Sequence, residues 1–212
     1  MFNISEIEKA INYTFNNKEL LLTALTHTSY SNENDCESYQ RLEFLGDSIL
    51  GFITAEKLYF IHNNKDEGFL SKMRAGIVCE ESLAGFARTI NLEKYIRLGI
   101  GEIKTNGMNK ASILSDVFEA LFGAIYLDSD LAKASEWLSG IITDDCYLNF
   151  VYNDYKTILQ EKFKNKDIKY VTTDVQNQFS AKVYINNVLS GEGIGTSKKN
   201  AEQNAAKNVL KR

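Results

Sequence analysis

The chain has 212 residues with 44% hydrophobic content, 24 Lys+Arg against 28 Asp+Glu for a net charge of −4, two histidines, three cysteines and no proline. That is apolar content for a packed core and length for one large domain or two modest ones, of which two fit better. No secretory leader or apolar run of membrane-spanning length follows Met1, and Cys36, Cys79 and Cys146 form no Cys-x-x-Cys pair, so a soluble, cytoplasmic protein with reduced thiols and no membrane partner is expected.

Charge divides the chain. Residues 1–153 hold 13 Lys+Arg and 22 Asp+Glu, a net −9, whereas residues 154–212 hold 11 and 6, a net +5. A basic C-terminal unit on an acidic protein suggests that attraction to phosphate is delegated to that unit. The missing prolines leave turns to Gly, Asn, Asp and Ser.

The N-terminal part reads as successive helices. Asn16-Asn17 precede a run from Lys18 to Leu25, followed by a long segment from about Glu37 to Phe60, another from Gly68 to Ala87, and one from Ala111 to Leu127. No strand alternation occurs before residue 168. His27, with no second histidine nearby, reads as packed or capping rather than metal-binding, and His62 as a surface-loop residue.

Two of these helices carry an anomaly. Glu43 and Asp47 are spaced i, i+4, and Asp116 and Glu119 i, i+3, so each pair shares a face of an otherwise apolar helix. An ionised carboxylate in such a setting needs a cation, a donor network or a proton. Packed face to face, the two helices would converge four acids on one point. Oxygen-only ligands favour magnesium or manganese over zinc, and such an ion suits phosphodiester hydrolysis. Solvated acids, or neutral acids in a hydrogen-bond network, are the alternatives.

From residue 154 the pattern becomes α-β-β-β-α. A short helix, Asp154 to Phe163, precedes strands Tyr170–Val175, Phe179–Ile185 and Val188–Gly193, with Asn186-Asn187 as a hairpin turn and a final helix starting at Ser197. Lys198 and Lys199 oppose the macrodipole at the start of that helix, which suits an anion-binding end. Gly99-Ile-Gly101 lacks the third glycine of a dinucleotide fingerprint and Gly191 to Lys198 lacks P-loop spacing, so no nucleotide cofactor is implied.

The run Tyr39-Gln-Arg-Leu-Glu-Phe-Leu-Gly-Asp-Ser48 resembles the signature of the ribonuclease III family. Leu22 to Tyr30, Glu67 to Ser71 with Arg74, Leu83-Ala84 ahead of Leu98-Gly99, and Lys110 to Leu121 agree with it in family order, over residues 1 to about 150. Residues 154–212 resemble a double-stranded-RNA-binding domain, through Asp154 to Glu161, Gly191 to Lys199 and Ala201 to Lys207. The resemblance implies an all-α endonuclease domain at 1–150, a small α+β domain at 154–212, a homodimer, and divalent ions bound by residues matching Glu43, Asp47, Asp116 and Glu119, with Asp47 and Glu119 catalytic. It implies cleavage of double-stranded RNA to 5′-phosphate and 3′-hydroxyl ends, and, by analogy, processing of ribosomal-RNA precursors and messages.

Further roles come from the same resemblance. Gln40 stands where many relatives carry an acid, which implies tuned RNA contact or activity. Glu67 implies a place near the cleavage site, against a plain solvated glutamate. Lys110 implies a phosphate contact, against a solvated lysine. Phe44 implies docking into the partner subunit, whereas periodicity alone makes it core. Lys198 and Lys199 imply phosphate contacts, and Gln160 or Glu161 a minor-groove 2′-hydroxyl contact. The loop Gln176-Asn-Gln178 is short and lacks the family's Pro-His insertion, implying weaker RNA affinity. Two rivals stay open: an RNA-binding relative without catalysis, and a helical phosphohydrolase of small nucleotides, for which His27 and His62 are too few.

Overall fold

The computed structural model describes residues 3–149, 155–175 and 178–211, and the chain divides into two compact units, residues 1–150 and 151–212. In the first unit helices α1 (Ile4–Ile11), α2 (Lys18–Ala24), α3 (Thr28–Asn34), α4 (Gln40–Ile61), α5 (Glu67–Ile77) and α6 (Glu80–Thr89) precede α7 (Ile100–Lys104), α8 (Ala111–Asp128), α9 (Leu131–Ser139) and α10 (Asp144–Asn149), with short 3₁₀ turns at Leu92–Tyr95 and Gly107–Asn109. Side-chain caps set several starts: Asn17 accepts from the Glu19 N–H, Asp66 from the Phe69 N–H and Asp130 from the Lys133 N–H, each contributing about 1 kcal/mol.

Helix α8 is the centre. Its residues Val117, Phe118 and Ala120 to Ile125 are buried, as expected of a helix apolar nearly all round. Helix α4 lays Leu42, Gly46, Leu50, Ile53 and Leu58, one stripe, into the same core.

The expected single helix over Gly68–Ala87 is two helices, broken at Val78-Cys79. There the Gly76 carbonyl accepts from the Cys79 thiol and, at 2.8 Å, from the Ser82 hydroxyl, so side chains replace helical N–H donors. Apolar spacing continues across the break through Ile77, Leu83 and Ala84, all buried, which hides it from periodicity. His62 lies in the turn that follows α4, as expected, but it is not a freely exposed surface residue. It is half-buried, with Nε2 donating to the Tyr147 carbonyl at 2.8 Å and its ring edge-on to Phe69.

The second unit comprises α11 (Tyr155–Lys162), an antiparallel meander of β1 (Ile168–Val175), β2 (Gln178–Ile185) and β3 (Val188–Gly195), and α12 (Lys198–Leu210). Asn186 and Asn187 take φ of 50° and 62°, the left-handed pair that a two-residue hairpin turn needs. Small residues Ala201, Ala205 and Ala206 bury one face of α12 with Ala181, Val183, Ile185 and Leu159. The order α-β-β-β-α is as expected. Asp154 of the expected first helix and Gln176-Asn177 of the short loop lie outside the described residues. No described helix is long and apolar enough to cross a membrane.

Candidate active site

Helices α4 and α8 cross with their backbones nearly touching. A Cβ on Gly46 would lie 1.9 Å from the Glu119 carbonyl oxygen, and one on Gly123 2.4 Å from the Leu42 carbonyl oxygen, far inside van der Waals contact. Only glycine on each side allows this approach, and it brings the two acidic faces together.

Glu43, Asp116 and Glu119 each offer a carboxylate oxygen, and the three oxygens lie within 4.8 Å of one another. Opposite ligands of a magnesium ion bonded at about 2.1 Å stand roughly 4.2 Å apart, so the all-oxygen donor set suits a hard divalent cation, and oxygens within 4.8 Å need only a small side-chain adjustment to share one. Asp47 is not in this triad. It is exposed one turn along α4, close enough that its charge acts on both Glu43 and Glu119.

The electrostatics are those of a crowded acidic site. Burial, followed by the facing carboxylates of Asp47, Asp116 and Glu43, pushes the Glu119 carboxyl up to about 8. Burial and the charges of Asp116 and Asp47 raise Glu43. Burial also raises Asp116, against hydrogen bonds from Tyr39 and Ser115 that favour its anion. Such mutual repulsion is relieved either by protons or by a cation.

The other expected residues are more dispersed. Gln40 opens α4, exposed, its amide oxygen 3.5 Å from the Ser38 hydroxyl. Glu67 opens α5, exposed, and accepts from the Ser71 hydroxyl. Phe44 is 77% exposed, so the periodicity-based core reading fails: the buried stripe of α4 turns it outward. Lys110 is not a freely solvated lysine, because its ammonium pairs with Glu102 at 2.7 Å, and that cation holds the Glu102 carboxyl below its usual range. Gln160 and Glu161 are exposed on α11, and Lys198 and Lys199 on the first turn of α12, which Ser197 caps.

Sequence reasoning missed four participants. Tyr39 donates its hydroxyl to Asp116 Oδ2 at 3.2 Å, Glu102 anchors Lys110, and the glycine pair sets the helix approach. Tyr39 and Gly46 lie inside the signature run, but their function depends on contacts with α8 that spacing along one helix cannot express. His27 is, as expected, a capping residue, its Nδ1 accepting from the Ser29 N–H at the start of α3.

Comparison with known proteins agrees with this architecture. Residues 17–146 match the family model described as Ribonuclease-III-like, and residues 155–212 the double-stranded RNA binding motif. Ribonuclease 3 of Borreliella burgdorferi is 44% identical, covering 98% of this chain and 90% of its own length. Ribonuclease 3 of Caldanaerobacter subterraneus is 41% identical, at 98% and 96%. The crystal structure of the nuclease domain of ribonuclease III from Campylobacter jejuni is 38% identical, with a TM-score of 0.63, covering 68% of this chain and 97% of that one. A helical nuclease unit carrying paired acids, followed by an RNA-binding unit and matched almost end to end by the two ribonuclease 3 relatives, means that the chain belongs to the ribonuclease III family.

Proposed function

We propose that this double-stranded-RNA endoribonuclease cuts with a divalent cation, magnesium with manganese able to substitute, held by Glu43, Asp47, Asp116 and Glu119. The observation that carries the reading is the gathering of three carboxylate oxygens within 4.8 Å, beside a fourth acid whose charge acts on two of them. Such an ion, when bound, lowers the pKa of a coordinated water and neutralises charge on a phosphate oxygen. Asp47 and Glu119 are the acids assigned to act nearest the reacting atoms. Lys110, steadied by Glu102, is assigned to a substrate phosphate, and Gln40 and Glu67 to RNA contact beside the site.

Residues 1–150 are assigned as the endonuclease domain and 154–212 as the duplex-binding domain. In the latter, Lys198 and Lys199 reach phosphates across the major groove while Gln160 or Glu161 reaches a minor-groove 2′-hydroxyl, a readout of A-form shape. The exposure of Phe44 supports a homodimer in which each protomer presents one site and each site cuts one strand. The Campylobacter jejuni nuclease domain has a region involved in dimer formation. The products are 5′-phosphate and 3′-hydroxyl ends with short 3′ overhangs, and ribosomal-RNA precursors and messages in the cytoplasm are the substrates proposed by analogy.

Glu119→Gln is the test. It should abolish magnesium-dependent cleavage of a long duplex while leaving its gel-shift affinity in EDTA unchanged. Wild-type cutting by that variant would overturn the assignment.

A further inference from the structure

We propose that Tyr39 is a positioning residue of the metal site, its hydroxyl fixing which oxygen of Asp116 faces the cation. This inference rests on the ligand assignment above and adds a residue outside the acidic set.

Tyr39 is 3% exposed and stands at the N-cap of α4, four residues before Glu43. Its main chain is held at both ends: the N–H donates to the Thr26 carbonyl at 2.9 Å, and the carbonyl accepts from the Glu43 N–H at 2.9 Å. Its ring packs edge-on to His27, at 5.7 Å between centroids, and His27 is itself fixed by Ser29. A residue anchored at the start of α4 therefore reaches across to α8 and donates to Asp116 Oδ2 at 3.2 Å. The Ser115 hydroxyl, which donates to the Ser112 carbonyl at 2.8 Å, stands 3.4 Å from Oδ1. Oδ2 is thus engaged by a buried donor held at both ends of its main chain, whereas Oδ1 has only a long contact with a hydroxyl shared with the Ser112 carbonyl.

The Tyr39 hydroxyl is the donor in this contact, because a carboxylate oxygen only accepts. A donor to a carboxylate favours the anion, which keeps Asp116 ready as a ligand against the effect of burial. One side chain thereby couples the two ligand-bearing helices, as the outer partners of metal ligands commonly do.

The test is Tyr39→Phe in the full chain, which keeps the ring and its packing. Isothermal titration of the EDTA-treated protein with manganese should show affinity about 10- to 100-fold weaker, while the metal-free melting curve stays close to wild type. In an Asp116→Asn background the same change should have no further effect. Tyr39→His, which restores a ring N–H donor, should recover part of the lost affinity, and it carries the same comparison should the phenylalanine variant fold poorly. Unchanged manganese affinity in the Tyr39 variants, with Asp116→Asn impaired, would overturn the positioning role alone. Unchanged affinity in Asp116→Asn would overturn the ligand assignment on which it stands.

Discussion

Glu119 moves from an ordinary carboxyl value of 4.5 to about 8 on folding, through burial and three neighbouring acids. Below the lower value the acid is protonated in both states and folding carries no charge cost. Between the two, the folded chain binds a proton that the unfolded chain lacks, so stability is lost as pH rises through the folded value. Glu43 and Asp116 shift in the same direction. The metal-free protein should therefore melt at a lower temperature at pH 8 than at pH 5, and Glu119→Gln should remove much of that slope. The variant's advantage at pH 8 is about 1–2 kcal/mol, discounted well below the full displacement because water screens a half-exposed site, or about 2–8 °C. Magnesium should erase the difference by stabilising the ionised wild type. Parallel melting profiles for both proteins in EDTA would show that burial and neighbouring acids do not raise the Glu119 carboxyl. At this scale the clustering of Glu43, Asp116 and Glu119 was legible, because i, i+3 and i, i+4 spacing inside apolar helices exposes an unmet electrostatic need. Asp47 shows the limit: sharing a face with Glu43 did not bring it into the triad, since that face runs from half-buried to exposed within one turn.

Elements were legible where periodicity carries them and hidden where a loop or an interhelix approach decides. The long α4 and α8 followed from apolar spacing, and the α-β-β-β-α order from the change to β-branched alternation. The break between α5 and α6 has neither glycine nor proline at Val78-Cys79, and its signal is a pair of side-chain donors converging on one carbonyl. Without proline, turns fall to residues that tolerate the left-handed region: Asn12, Asp35, Asn91, Asn106, Asn186 and Asn187 hold every positive φ among the described residues, and none is glycine. Glycine is used for close approach instead. Gly46→Ala should force α4 and α8 apart, lowering stability by about 1–3 kcal/mol and weakening manganese binding, because Glu43 and Glu119 sit on the two separated helices. Gly85→Ala in α6 is the control, since nothing lies within 4 Å of its added Cβ and helix propensity there should gain about 0.5–1 kcal/mol. A Gly46→Ala protein with wild-type melting and metal affinity would show that the crossing tolerates a methyl group.

Across the whole molecule, the two units differ in the sign of their charge: residues 1–153 carry a net −9 and residues 154–212 a net +5. A duplex surrounded by condensed counterions is repelled by the first charge and attracted by the second, so nonspecific affinity should reside in the C-terminal unit and follow its lysines. Their distribution narrows the footprint. Lys156 is committed to Glu202 in an ion pair, and Lys169 and Lys182 are within ion-pair distance of Asp167 and Glu192, whereas Lys198 and Lys199 are exposed at a helix start where the macrodipole already favours an anion. Replacing both by glutamate should weaken binding to every long duplex alike and reduce the slope of log affinity against log salt by about 2, one for each phosphate no longer neutralised. Cleavage should show a raised KM with kcat unchanged, because the acids on α4 and α8 are untouched, and manganese titration should match wild type. Glu119→Gln predicts the opposite pattern, with binding kept and turnover abolished. An unchanged salt slope in the lysine variant would show that Lys198 and Lys199 neutralise no phosphate, and would move the attraction onto the other cations, such as Lys162, Lys164 and Lys166.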